Sequence, residues 1–176
     1  MKFRRMLPYF VLCFSVFIQG CFGPKQPDDL PKLYPCKISV IQDGQPLEGA
    51  TVLLRPLDGN LRFSMGGKTD QKGIAVIKLD GQWTGAPEGE FHVSISKIVT
   101  PEGLALPGPT TSPRERRKLQ EESAKMTKET VDPMYSNLIK TTLRLKVDKK
   151  ATDESFDVGK AVDLSMAELN PGLPQL

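Results

Sequence analysis

Apolar and polar residues alternate with a period of two in several short stretches of this chain, the mark of half-buried β-strands. Cys36, Ile38 and Val40 alternate with Lys37 and Ser39. Ala50, Val52 and Leu54 alternate with Thr51, Leu53 and Arg55. The clearest case is Phe91, Val93 and Ile95 against His92, Ser94 and Ser96, which predicts that the second trio faces away from the core. Leu143, Leu145 and Val147 repeat the pattern against Thr142, Arg144 and Lys146. Gly73 to Leu79 is apolar at both parities and predicts a central strand covered on each side. Leu61 to Lys68 reads as a weaker strand loosened by Gly66 and Gly67, and Phe156 and Val158 flank Asp157 in a last one.

Turn residues punctuate these runs: Asp43-Gly44, Pro56-Leu57-Asp58-Gly59-Asn60, Thr69-Asp70-Gln71-Lys72-Gly73, Asp80-Gly81, Gly85-Ala86-Pro87-Glu88-Gly89 and Lys149-Lys150. Residues 99–133 interrupt the pattern with Pro101, Pro107, Pro109 and Pro113. Ser112-Pro113-Arg114-Glu115 then opens a helix, with Ser at the N-cap, Pro at the first helical position and Glu at the third. That helix runs to about Thr127, and its apolar content is chiefly Leu119, Ala124 and Met126, too little to bury a broad face. It reads as a solvated excursion, with a partner-binding helix as the functional alternative. The tail after 159 reads as a short helix on the sandwich edge or a loose end. The expected fold is all-β: an antiparallel sandwich of about seven strands, with one short helix in a long excursion. No long amphipathic pattern is present to cover a parallel sheet.

Residues 1–20 change the meaning of the composition. Lys2, Arg4 and Arg5 precede a mostly apolar run from Leu7 to Ile18, which is shorter than the about 20 residues a spanning helix needs. Ile18-Gln19-Gly20-Cys21 resembles the processing site of a bacterial lipoprotein, in which Cys21 is lipidated and becomes the first residue. The formal charge of +3 lies wholly in Lys2, Arg4 and Arg5, so the processed chain is neutral. The basic balance therefore gives no reason to expect a nucleic-acid partner. Cys13 would leave with the leader and Cys21 would carry lipid, so Cys36 has no disulfide partner and reads as a small buried hydrophobe. Pro24, Pro27, Pro31 and Pro35 make 21–35 a tether, and the domain proper is expected over 36–158. Phe22, where Asp would favour inner-membrane retention, points to the outer membrane of the cell envelope.

Several motifs together resemble a family. Gly44-Gln45-Pro46-Leu47-Glu48-Gly49-Ala50-Thr51-Val52 is similar to the opening of carboxypeptidase-regulatory-like, transthyretin-like domains. Thr69-Asp70-Gln71-Lys72-Gly73 resembles their T-D-x-x-G hallmark, and Gly85 to Lys97 their G-A-x-x-G-x-Y-x-V-x-I-x-K, with Phe91 in place of Tyr. Val131-Asp132-Pro133-Met134-Tyr135 and Ser136-Asn137-Leu138 resemble a segment of small lipoproteins abundant in planctomycetes and their relatives. The resemblance spans about residues 36–158 and implies a prealbumin-like sandwich that displays or supports rather than catalyses. It reaches the fold; function still has to be argued from a site.

The candidate chemistry is sparse. His92 is the only histidine and lies on a strand with Ser94, two residues away by pleat geometry rather than aimed for proton transfer. One His and one unlipidated Cys cannot make a zinc site, and Lys72 opposes a cation beside Asp70. Related hydroxyisourate hydrolases and intradiol dioxygenases need more histidines than this chain has. No catalytic residue, metal or cofactor is expected. Trp83, next to Thr84 and Gly85, is a candidate ligand contact that could stack on a sugar face; the alternative is a core-edge aromatic. The expected function is a lipid-anchored, non-enzymatic structural or protein-interaction module of the envelope. A carbohydrate-binding module and a cryptic hydrolase using His92 are the alternatives. The expected partners are the membrane, through the lipid, and an envelope protein or glycan.

Overall fold

The alternating stretches become strands in the computed structural model, which describes residues 30–59, 62–102 and 112–169. In chain order these are β1 (Leu33–Tyr34), β2 (Cys36–Gln42), β3 (Gln45–Pro46), β4 (Thr51–Pro56), β5 (Met65–Lys68), β6 (Ile74–Val76), β7 (Lys78–Leu79), β8 (Trp83–Thr84), β9 (Ala86–Pro87), β10 (Gly89–Ser96), β11 (Ile98–Val99), α1 (Pro113–Met126), β12 (Lys128–Glu129), α2 (Pro133–Ser136), β13 (Arg144–Val147), β14 (Thr152–Asp157), β15 (Leu164–Ser165) and α3 (Met166–Leu169). Seven strands are three residues or longer, namely β2, β4, β5, β6, β10, β13 and β14, which matches the expected number.

Two sheets form the sandwich. The first is antiparallel throughout, in the order β13-β10-β4-β5-β7-β8. The second has β14 on one flank of β2, and β6 and β3 on the other. Cys36, Ile38 and Val40 face Val52, Leu54, Phe91, Val93, Ile95, Leu145 and Val147, and all ten are buried. Full burial of each Val, Leu, Ile or Phe stabilises by about 1.5–3 kcal/mol, so these few positions hold the layers together.

One side of the sandwich is stitched. The run from Gly73 to Leu79, expected as a single central strand, changes sheet midway. β6 pairs with β2, whereas β7 pairs with β5. Ile77, between them, is fully buried, donates its N–H to Cys36 O at 3.0 Å and accepts from Gly85 N at 2.8 Å. A strand that bends from one sheet to the other makes a sandwich corner. Thr69 bridges to Ala75 across this corner. Its hydroxyl donates to Leu47 O at 2.6 Å and accepts from Ala50 N at 2.8 Å. Asp70 closes the turn by accepting from Lys72 N and Ile74 N, and Gly73 sits at φ 73°. Gly66 and Gly67 do not loosen β5. A Cβ on Gly67 would lie 2.5 Å from Val76 O, and one on Gly66 2.5 Å from Val52 O, so glycine lets the neighbouring backbones approach.

Four further features depart from expectation. β14 runs parallel to β2, from Thr152 beside Cys36 to Asp157 beside Ile41, so the sandwich is not wholly antiparallel. The chain leaves β13 on the first sheet and crosses to the second, where β2 points the same way. Pairing also starts before Cys36: β1 joins β9 despite Pro31, Pro35 and Pro87, which edge strands tolerate. The excursion and the tail build a small sheet together, β11-β12-β15. Its helix α1 has the expected Ser112 cap, accepting from Glu115 N at 3.3 Å, and buries no residue. Finally, Ser94 is 3% exposed rather than facing solvent, because α2 packs over β10. The expected leader and Cys21 lie outside the described residues.

Candidate functional site

The side opposite the stitched corner is open. There β13 is the outermost strand of the first sheet and β14 that of the second. The turn through residues 148–151 joins them. Among the described residues each has one flank paired within the sandwich, so each presents a row of backbone groups on its other flank.

The two edges carry opposite charge. Leu145 and Val147 are buried, so Arg144 and Lys146 project from the outer face of the first sheet, where both are exposed. On β14, Asp153 and Asp157 lie beside Lys37 and Ile41, on the outer face of the second sheet, and are exposed. Glu154 lies beside Ile38, and Phe156, beside Val40, is half-buried at the rim. Local contacts order these edges without neutralising them. Arg144 Nη1 donates to Thr141 O and Leu143 O, both at 3.0 Å. Lys146 stands 3.7 Å from Asp148, and Lys149 3.7 Å from Glu88, at exposed positions where a pair contributes about 0–1 kcal/mol.

His92 is set in a row of cations, with Arg55 opposite on β4 and Arg144 opposite on β13. Its Nδ1 is buried and has no hydrogen-bond partner among the described residues. A Ser–His–Asp relay needs a carboxylate on that nitrogen. Ser94 is next along the strand face, beneath α2. A groove of about 270 Å³ is lined by Leu53, Leu54, Arg62, Phe63, Met65 and Leu138.

Trp83 lies opposite Leu79 in the β7–β8 hairpin. Directly opposed residues share a face, and Leu79 is 1% exposed. The indole therefore belongs to the inner face at the sandwich end; Trp83 is half-buried, and its Nε1 is buried without a partner among the described residues. Cys36 is fully buried; burial first, and the Asp153 carboxylate second, push its thiol up to about 11. No group of three or more His, Cys, Asp or Glu that could hold a metal occurs among the described residues.

The open side was not among the residues picked out from the sequence. The signal was present as charge segregation: a basic R-L-K-V followed within a few residues by an acidic D-E-S-F-D. That both segments end as outermost strands depends on pairings with β10 and β2, far away in the chain.

No protein-family model and no curated protein matches this chain. The resemblance to transthyretin-like domains thus rests on its motifs. Among solved structures it is similar to the major pilin subunit of Bacillus cereus at 14% identity and TM-score 0.41, over 73% of this chain and 30% of the pilin. It is also similar to a 9R-lipoxygenase from Cyanothece at 15% identity and TM-score 0.32, over 78% of this chain and 18% of the enzyme. The chain therefore spans less than a third of either neighbour, and at these scores neither likeness carries function.

Proposed function

We propose that this chain is a lipid-anchored, extracytoplasmic β-sandwich of the transthyretin-like kind, acting as a non-enzymatic interaction module of a bacterial envelope. The observation that carries the interaction reading is the open side: two adjacent outermost strands, oppositely charged, with flanks unpaired among the described residues. Unpaired edges are the usual template for adding another strand. The anchor reading is supported by the leader and Cys21. Acyl chains contribute about 0.8 kcal/mol per buried CH₂, so two or more keep the domain at the membrane. The non-enzymatic reading is supported by His92, whose Nδ1 lacks an acid and whose strand neighbours are arginines.

Two measurements test this. Mass spectrometry of membrane-fraction protein should find a first residue Cys21 bearing lipid, lost in Cys21→Ser; an intact first twenty residues would remove the anchor. A photo-crosslinking residue at position 146 or 153 should give a protein adduct, whereas the same residue at position 71, in the stitched turn, should not. Equal labelling at all three positions would remove the interaction reading. The glycan alternative needs an open indole face. It is refuted if Trp83 fluorescence ignores a glycan panel.

A further inference from the structure

The two edges stand on the same side of one sandwich, and this geometry favours a particular occupant. We infer that the open side binds a second copy of this chain in a closed two-fold pair, by exchange of edges. The inference rests on the interaction reading above and names its partner.

Consider a two-fold axis parallel to the strands, beside the open side. Rotation about it brings the first sheet of one copy level with the second sheet of the other. β13 then meets the second copy's β14, and β14 meets the second copy's β13. The outer faces coincide on both levels. Arg144 and Lys146 come alongside Asp153 and Asp157, and the same set forms twice. Because the chain reverses between β13 and β14 through residues 148–151, each new junction is antiparallel.

Charge selects this arrangement over its competitors. Setting first sheet against first sheet would oppose Arg144 and Lys146 to themselves, and second against second would oppose Asp153 and Asp157. Like charges directly opposite one another destabilise a strand pair, and unlike charges stabilise it. An isologous contact satisfies both edges at once and leaves none over to grow a fibre. A foreign partner would have to carry both charges in matching order; a second copy carries them already.

The test is sedimentation equilibrium of the full chain in density-matched detergent. The wild type should have twice the mass of one chain at low salt and dissociate as salt screens the edges. The double variants R144E/K146E and D153K/D157K should each be monomeric, since all four side chains are exposed and the core is untouched. Mixed in equal amounts, they should pair again, because one copy then carries two acidic edges and the other two basic ones. Circular dichroism checks that each variant is folded. If a double variant fails to fold, the salt dependence of the wild type decides in its place. A wild type that stays monomeric, a dimer indifferent to salt and to charge reversal, or open-ended oligomers would overturn the inference. A monomer that still gives a position-153 adduct with a different protein would overturn the self-pairing alone and leave the interaction reading standing.

Discussion

Of the two long sides of this sandwich, one is closed and the other is left open. The stitched side relies on the main chain: one run changes sheet at Ile77, glycines let backbones touch, and Thr69 satisfies two buried backbone groups. The open side relies on nothing within the described fold, and its strands end in solvent with charges of opposite sign. The contrast separates two demands on a small domain. Steric fit and buried hydrogen bonds secure the layers where no change is tolerated. Exposed charge, worth little to stability, is left where the pairing proposed above would use it.

The largest expected effect breaks the stitched side. Gly67→Val should destabilise by about 3 kcal/mol or more, beyond ordinary overpacking, because the new Cβ meets the Val76 carbonyl oxygen rather than a movable side chain. Urea unfolding reads it. Thr69→Val should cost about 2 kcal/mol by leaving Ala50 N and Leu47 O buried without their partner; a loss below about 0.5 kcal/mol would mean that water replaces the hydroxyl.

A smaller effect sharpens the comparison through pH. The folded Cys36 thiol ionises near 11 instead of its ordinary 9.0, chiefly from burial and then from Asp153. Between those values the native chain keeps a proton that the unfolded chain has lost. The contribution is therefore fully present below about pH 9 and disappears as pH rises towards 11. The urea midpoint should fall between pH 8 and pH 10.5 more steeply for wild type than for Cys36→Ala, with Asp153→Asn in between, because burial still raises the thiol when the carboxylate is gone. The smallest effect belongs to the open side. Lys146→Ala should change monomer stability by no more than about 0.5 kcal/mol, although it removes far more side chain than the near-isosteric Thr69→Val, which costs several times more.

Much of the sandwich was legible because its signals are local. The alternations at 36–40, 91–95 and 143–147 became β2, β10 and β13, and Ser112-Pro113 capped α1 as its residue types require. The turn at Thr69–Gly73 held for the same reason. What the sequence hid is nonlocal. Nothing in Thr152–Asp157 states that it pairs in parallel with Cys36–Gln42, and an apolar run at both parities cannot announce a bend at Ile77. Gly66 and Gly67 looked like weakness because their reason for being there is the backbone of β4 and β6, not their own neighbours. Ser94 looked solvent-facing because α2, which covers it, arrives from forty residues later. The candidate site shared this fate: its charges were visible, but their common side was not.

The second sheet joins Thr152 to Cys36, two positions far apart in sequence. β3 and β6 follow β2 closely, but a ribosome must release the chain through β14 before β2 gains its parallel neighbour. Until then the nascent layer has an unprotected flank, and contacts of such wide separation form slowly. The second sheet is complete only once that late strand has arrived.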